Sequence, residues 1–386
     1  MSRWTLLIFG LLTAGAVQAA ITPGCLWDRD TRAMERQRFP SVLEVITGKF
    51  LRHSDEYYRW RVEDRRARLG RGEAGAELVD DLAVAHSKLG DDRRAIALMG
   101  ELLEEDPRRY ETLANLGTFH VHAGDLEEGA GFIARALEVN PDAHFGRERY
   151  QLLVVEYLQG KEARAGEGQL PLCRASVSQP GGSLEPNFWT FLAGEIGADP
   201  RLPHEHAGAI DAAVRGVTGM LRFGNHRSPV LLEVLSDLLL ADFQRDAKGL
   251  AARALLRAAD GCQDAGVAAA YLGKAREALS FQTPESGESR SLRLEELEEQ
   301  LALELAEADA WWASLLENEL RWIDSGEDVD ARFAEAYYSE PSIGSGGGGR
   351  GAAVPVLLGL AAAVISAALV LLARRRSMVS PGGAGR

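Results

Sequence analysis

The sequence lacks the short motifs that mark common nucleotide-dependent enzymes and hydrolases. It contains no GxxxxGK[ST] phosphate loop and no GxSxG nucleophile elbow. Its 57 Asp and Glu residues are spread along the chain as surface charge, with no apolar pocket expected to shift their pKa values. The sequence therefore favours a non-enzymatic protein that needs no cofactor.

Cysteine is scarce, with three residues at Cys25, Cys173 and Cys262. Their spacing is too wide for a zinc knuckle or a CxxC redox pair. In an oxidising compartment two of them could form a disulfide and leave one free, and the alternative is three unrelated thiols. A nucleophilic role for Cys173 would require a partner base, and the sequence identifies none.

Metal-binding patterns are also weak. His120 and His122 lie two residues apart, so in a helix their side chains point about 200° away from each other and do not easily share an ion. The pair His204 and His206 lacks the i, i+4 spacing of a helical zinc site. We therefore expect structural histidines and no bound metal. The alternative function is an envelope hydrolase or metal-dependent enzyme with its site in residues 160–208.

Basic residues are outnumbered by acidic residues, 43 to 57, which gives a formal charge of −14. Six of the 43 lie in the two end segments, which carry no carboxylate, so the body of the chain is more acidic than the total suggests. An acidic surface repels phosphate backbones, which argues against nucleic acid as a partner.

The N-terminus is typical of a secretory signal peptide. Arg3 precedes an apolar stretch from Leu6 to Leu12, and small residues then lead to a cleavage site before Ala20. The apolar stretch is too short to span a bilayer comfortably, so an uncleaved anchor is the less favoured interpretation. We therefore expect the body of the chain to be exported.

The C-terminus predicts a membrane anchor. Residues 354–373 carry no charge, and a helix of that length, at ~1.5 Å per residue, spans the ~30 Å core of a bilayer. Arg374, Arg375 and Arg376 follow at once, and the positive-inside rule places them in the cytoplasm. Both ends therefore predict a single-pass protein of the bacterial inner membrane with a periplasmic body.

A glycine-rich tether, residues 341–353, joins the body to the predicted span. The order of glycine tract, apolar span and arginine cluster resembles the Gly-Gly sorting tails that rhomboid-like proteases cleave in bacteria. This resemblance covers the chain from residue 344 onward and implies release of the body or its transfer to the cell surface. Without cleavage, the anchor is permanent.

Residues 76–141 contain an internal repeat with a period of 34 residues. Small residues, a Gly-Asp turn and a closing proline recur at the same positions of the two units. The matching pairs are Ala83 and Gly117, His86 and His120, Gly90 and Gly124, Asp91 and Asp125, Ala95 and Gly129, Met99 and Ile133, Leu102 and Ala136, and Pro107 and Pro141.

These positions resemble the tetratricopeptide repeat (TPR) family. The resemblance implies helical hairpins whose two helices meet closely at the small residues, with glycine as a left-handed cap at the turn. It also implies that the hairpins stack, because one hairpin cannot bury its apolar face alone. Residues 144–159 look like the first helix of a third unit, although Gln151 occupies the position that is small in the family.

The resemblance also implies a concave groove that binds a partner. Asn115 alone fits the Lys/Asn clamp that some family members use for C-terminal carboxylates, so a ligand of that kind is disfavoured. We predict instead an unidentified exported or membrane protein. The predicted groove residues are Asp80, Asp81, Val84, Lys88, Glu111, Asn115, Thr118, His122, Glu148, Arg149 and Leu152.

The rest of the body shows helical and not strand periodicity. Two segments before the repeats, 41–51 and 55–69, have the pattern of a capping hairpin, and a short helix is expected near 188–194. Residues 290–323 form a long acidic helix with one apolar face, which is either the solvated face of a docking helix or a coiled-coil or partner-binding helix. Further helices are predicted at 209–223, 229–243, 247–259 and 265–281.

The sequence as a whole predicts an all-α, TPR-like helical-repeat solenoid with additional helices and one C-terminal transmembrane helix. Its predicted function is a non-enzymatic protein–protein interaction scaffold on the extracytoplasmic face of the membrane. The predicted segments are a signal peptide (1–19), an N-terminal helical cap (20–75), TPR repeats (76–159), an irregular connection (160–208), a second helical-repeat block (209–282), a long acidic helix region (289–340), the tether (341–353), the transmembrane helix (354–373) and a cytoplasmic tail (374–386).

Overall fold

A computed structural model of the protein describes residues 26–165, 170–173, 187–242, 247–280 and 293–338. Within these residues the fold is all-α, with α-helices and two short 3₁₀ turns and no strand, so the predicted class is confirmed. The predicted signal peptide, tether and membrane span lie outside the described residues. No helix in the described part of the chain is both long and apolar enough to cross a bilayer.

Fifteen α-helices make up the described residues. They are α1 (Arg29–Glu35), α2 (Val42–Thr47), α3 (Asp55–Gly70), α4 (Ala76–Lys88), α5 (Asp92–Glu105), α6 (Tyr110–Ala123), α7 (Leu126–Val139), α8 (Arg147–Ala165), α9 (Phe188–Glu195), α10 (Ala207–Phe223), α11 (Pro229–Ala241), α12 (Ala247–Asp260), α13 (Ala265–Ser280), α14 (Leu294–Asp324) and α15 (Val329–Tyr337).

Short polar side chains fix where several of these helices begin. Ser41 and Glu44 form a reciprocal capping box at α2, and Ser54 caps α3 by accepting a hydrogen bond from the N–H of Tyr57. Helix α2 is shorter than the predicted helix 41–51, because Gly48 takes a left-handed φ of 84° and ends it.

The 34-residue repeat is visible in the helix boundaries. Helices α4 and α6 begin at Ala76 and Tyr110, and helices α5 and α7 begin at Asp92 and Leu126, so both spacings equal the period. Gly90 and Gly124 follow the first helix of each hairpin with φ values of 82° and 91°. The predicted left-handed glycine turn is therefore confirmed in both hairpins.

The two helices of the second hairpin approach closely at its glycines. A Cβ atom added to Gly117 would lie 2.6 Å from Ile133 Cγ1, and one added to Gly129 would lie 2.5 Å from Val121 Cγ2. Real Cβ atoms do not tolerate such distances, so both positions require glycine. The predicted close contact between the helices at these small residues is confirmed.

Two glycines of α7 provide a matched test of that contact. Gly129→Ala is expected to lower the free energy of unfolding by about 1–3 kcal/mol, because the added methyl overpacks the contact with α6. Gly131→Ala has open space around it and is expected to raise stability by up to about 1 kcal/mol, since alanine is the better helix former. Urea titrations of both variants check the prediction, and a similar effect at the two sites would contradict it.

The helices from α3 to α13 stack mainly on their neighbours in sequence, and α14 then returns to the beginning of the chain. Along the repeats α4 packs on α5, α6 on both α5 and α7, and α8 on α7. Helix α14 contacts α2, α3, α12, α13 and α15. The long helix therefore joins the N-terminal cap to the second helical block.

The apolar face predicted for the long helix is the face that docks. Leu294, Leu297, Leu301, Ala308 and Leu315 are buried against the body. This confirms a docking helix, although Leu303, on the opposite side, is 68% exposed.

Candidate functional site

The N-terminal part of the predicted groove is occupied by the chain's own residues 26–35. Asn115 accepts a hydrogen bond from the Trp27 N–H (2.8 Å) and donates one to the Trp27 carbonyl (3.0 Å). The Trp27 ring packs edge-on against Tyr110 and His144, with centroids 5.2 and 4.6 Å apart. Leu26 is 1% exposed within the core of the two hairpins. The residues that lead into α1 therefore cover the predicted groove position Asn115.

Most of the other predicted groove residues are paired inside the fold. Val84 is buried in the hairpin core, and Asp80 pairs with Arg109. Asp81 accepts hydrogen bonds from the N–H of Arg29 and from Arg65. Thr118 accepts a hydrogen bond from Gln151, and Glu148 accepts one from the Tyr110 hydroxyl. Glu111 and Leu152 are half-buried and Arg149 is exposed. Lys88 and His122 remain, and both line an open cavity.

A buried charge network lies where the N-terminal segment meets α3. Arg61 is fully buried and donates to Asp28 (2.9 Å) and Asp30. The Tyr57 hydroxyl donates to Asp330 (2.6 Å). Arg65, one helical turn after Arg61 on α3, pairs with the same Asp330 carboxylate. The network thus ties the first described residues, α3 and the last helix together.

His53 extends this network to the long helix. Its Nδ1 lies 2.6 Å from Glu319 Oε1 and its Nε2 lies 3.1 Å from Asp30 Oδ2, and its ring stacks on Tyr57. Burial lowers the pKa of His53, but the carboxylates of Asp30 and Glu319 outweigh burial and raise it to about 9. The imidazole is therefore a cation at neutral pH. We call this set the N-terminal charge network: Asp28, Asp30, His53, Tyr57, Arg61, Arg65, Asp81, Glu319 and Asp330.

A cavity of about 940 Å³ opens beside the N-terminal charge network. It lies between the ends of α4, α6 and α10, the residues from 52 to 58 that lead into α3, and one face of α14. Its volume falls in the range of pockets that hold organic ligands. We call it the central cavity.

The floor of the central cavity is cationic. Lys88 donates two hydrogen bonds to the backbone carbonyls of Phe223 and Gly224 at the end of α10. The Arg52 guanidinium lies 3.9 Å from the Trp312 ring centroid and donates to the carbonyl of Gly48. Carbonyls and a ring orient these cations but do not neutralise them.

Titration behaviour reflects this crowding of positive charge. Burial lowers the pKa of Lys88 to about 8, and burial with the charges of Arg227 and Arg257 lowers that of Arg52 to about 10. His226 has a pKa well below its usual value, because it is buried beside Arg52 and three other cations. These groups repel one another in the present state of the cavity.

The paired histidines singled out in the sequence do not converge on a common site. His120 stacks on Phe132 and His122 lies 3.3 Å from the Ser87 hydroxyl, so the two point to different neighbours. His204 is exposed in the 3₁₀ turn before α10. Among the described residues no group of three His, Cys, Asp or Glu side chains is arranged to hold a metal ion. Burial and nearby carboxylates raise the pKa of Cys262 to about 11, which disfavours its thiolate.

A second buried ion pair supports the connection after α8. Glu233 is fully buried and accepts hydrogen bonds from Lys274 (2.6 Å), from the Tyr271 hydroxyl (2.8 Å) and from the N–H groups of Leu172 and Cys173. Every carboxylate oxygen is satisfied, so this cluster fixes the segment 170–173 against α11 and α13 and offers no free reactive group.

Sequence reasoning missed the central cavity, although one signal for it was present. The stretch 222–227 places Arg222, His226 and Arg227 within six residues of an otherwise acidic chain. The other floor cations, Arg52 and Lys88, come from distant segments and look like isolated surface residues in the sequence.

No family model matches this chain, and no curated protein matches it significantly.

Proposed function

We propose that this protein is a non-enzymatic scaffold of TPR-like hairpins that holds another exported or membrane protein on the extracytoplasmic face of a bacterial inner membrane. One observation carries the proposal: the predicted groove side of the hairpins already binds a segment of the protein's own chain, the residues that lead into α1. Asn115 pairs with both main-chain groups of Trp27, a contact that recognises peptide backbone independently of its sequence.

The TPR-like character of the hairpins is supported by three features. The helix boundaries recur every 34 residues, a left-handed glycine follows the first helix of each hairpin, and Gly117 meets Gly129 at close range. Stacked hairpins of this kind form extended concave surfaces that suit protein partners. The location of the protein rests on the sequence patterns of residues 1–19 and 354–376.

The partner's docking place is the mouth of the central cavity. The chain's own segment covers the groove at Asn115, whereas Lys88 and His122 face the cavity. At the mouth, Asp91 and Arg93 are exposed and available to a partner. A partner that docks there contacts the open end of both hairpins.

Site-specific photocrosslinking in cells tests this proposal. A photoreactive residue at Arg93, on the mouth of the cavity, is expected to give a discrete protein adduct. The same residue at Glu101, which is exposed on the same helix away from the cavity, is the matched control and is expected to give none. Equal labelling at both positions, or no adduct at Arg93, would show that the mouth is not a docking place.

A further inference from the structure

The floor of the central cavity carries positive charge without carboxylate partners. Arg52, Lys88 and Arg227 all line it, and among the described residues none of the three has a carboxylate within ion-pairing distance. His226 lies among them and would add a further charge if protonated. Arg52 and Lys88 are half-buried, and Arg227 is exposed at the edge of the cavity. Partly buried cations that lack a carboxylate partner attract a counter-ion.

The carboxylates of the same cavity are engaged elsewhere. Asp92 accepts a hydrogen bond from Ser87 (2.6 Å), Asp91 caps α5 by accepting from the N–H of Arg94, and Glu56 pairs with Arg59. Asp55, in the first turn of α3, is exposed. None of these four carboxylates is paired with Arg52, Lys88 or Arg227.

We infer that the central cavity is a binding site for an organic phosphate monoester, whose phosphate lies among Arg52, Lys88 and Arg227. The site stands whether or not a partner protein docks at the mouth, so it extends the proposed function and does not depend on it.

Charge and shape both favour a phosphate monoester. Three cations call for more than the single negative charge of a carboxylate, and a phosphate monoester supplies nearly two with three acceptor oxygens. A volume of about 940 Å³ also exceeds what a bare phosphate needs, so the ligand has an organic body. Tyr58 and Leu316 give that body an aromatic and an aliphatic wall.

Binding has a consequence for protonation. A phosphate on the floor favours the charged form of Lys88, whose pKa now lies near 8, and of His226 beside it. Binding near pH 8 should therefore be accompanied by proton uptake. A ligand attached elsewhere on the acidic surface would not have this effect.

Isothermal titration calorimetry of the full-length protein in detergent tests the inference. Glycerol 3-phosphate should bind, and glycerol, which lacks the phosphate, should not. Arg227→Gln, an exposed residue whose loss leaves the fold intact, should weaken binding about tenfold, as expected for one charge-assisted hydrogen bond. Arg135→Gln, exposed on α7 outside the cavity, is the matched control and should leave the affinity unchanged.

Two further titrations sharpen the result. Heats measured near pH 8 in two buffers of different ionisation enthalpy should reveal net proton uptake on binding of glycerol 3-phosphate. Dihexanoyl phosphatidic acid carries the same phosphate monoester, and tighter binding than glycerol 3-phosphate would identify a lipid headgroup as the source, whereas equal binding would identify a free phosphate ester. No binding of either compound, or equal loss of affinity in the Arg227 and Arg135 variants, would overturn the inference.

Discussion

Arg61→Ala is expected to lower the free energy of unfolding by about 3–5 kcal/mol, the largest loss for any single substitution considered for this fold. The side chain is 0% exposed and contacts Asp28, Asp30 and the Tyr57 hydroxyl. Truncation leaves these carboxylates buried with too little positive charge, because Arg65 already serves Asp81 and Asp330. The cost is the unpaired charge and not the loss of one favourable contact.

The position of the N-terminal charge network makes this loss cooperative. Asp28 and Asp30 belong to the segment that leads into and begins α1, while Glu319 and Asp330 belong to the last two helices. Removing Arg61 therefore weakens attachment at both ends of the described chain. We expect the segment 26–35 to detach from the groove in the same variant, which exposes Trp27.

Urea unfolding followed by circular dichroism measures the change, and Trp fluorescence reports the release of Trp27. Arg59→Ala is the matched control, because Arg59 lies on the same helix but is exposed, and within the described part of the chain its ion pair is with Glu56. An exposed pair of that kind contributes about 0–1 kcal/mol. If the two variants lose the same stability, the N-terminal charge network does not hold the ends together.

The repeats were accessible from the sequence because their determinants are local. The 34-residue period shows which positions are small, which residues form the turn between the helices and which residue ends each hairpin. No contact between distant parts of the chain is needed to recognise this pattern. The amphipathic face of α14 was accessible for the same reason, since Leu294, Leu301 and Leu315 share one side of a helix.

The N-terminal charge network was not accessible, because its members are ordinary charged residues far apart in the chain. Arg61 lies 33 residues from Asp28 and 269 from Asp330, and each has the pattern of a solvated side chain in its own segment. Only the return of α14 and α15 to α3 brings them together. The same is true of the central cavity, whose lining comes from five separate stretches of the chain: 52–58, 87–93, 122–123, 222–227 and 312–316.

Asn115 was predicted to lie on the groove face of its helix, but the residue that it binds could not be predicted. Asn115 stood out as the one residue that fits a clamp for C-terminal carboxylates, and the structure shows it holding the main chain of Trp27, 88 residues away. Spacing on one helix predicts which side chains share a face, but it does not predict what covers that face. Here the cover comes from residues 26–29 of the same chain.

The stability of the protein is expected to fall between about pH 6.5 and pH 9, and His53 is the residue responsible. Its pKa in the folded protein is about 9, above the usual histidine value of about 6.5. The folded state therefore binds this proton more tightly than the unfolded state, so the stabilisation is complete below pH 6.5 and disappears as the pH rises through 9. A shift of this size corresponds to on the order of 3 kcal/mol.

His53→Gln isolates the effect. Glutamine keeps a donor for Glu319 but cannot titrate, so the difference in unfolding free energy between wild type and variant should shrink as the pH rises from 6.5 to 9. Glu148, with a pKa raised by burial to about 7, and Lys88, with a pKa lowered by burial to about 8, titrate in the same window with opposite signs. Both are present in the two proteins, so their contributions cancel in the difference.

Urea titrations at half-unit pH steps provide the measurement, with His204→Gln as the control for loss of an exposed histidine. That variant should follow the wild-type profile throughout. A difference between wild type and His53→Gln that stays constant from pH 6.5 to 9 would mean that His53 is not a cation held by Asp30 and Glu319. The junction between the N-terminal segment and α14 would then depend on Arg61 and Arg65 alone.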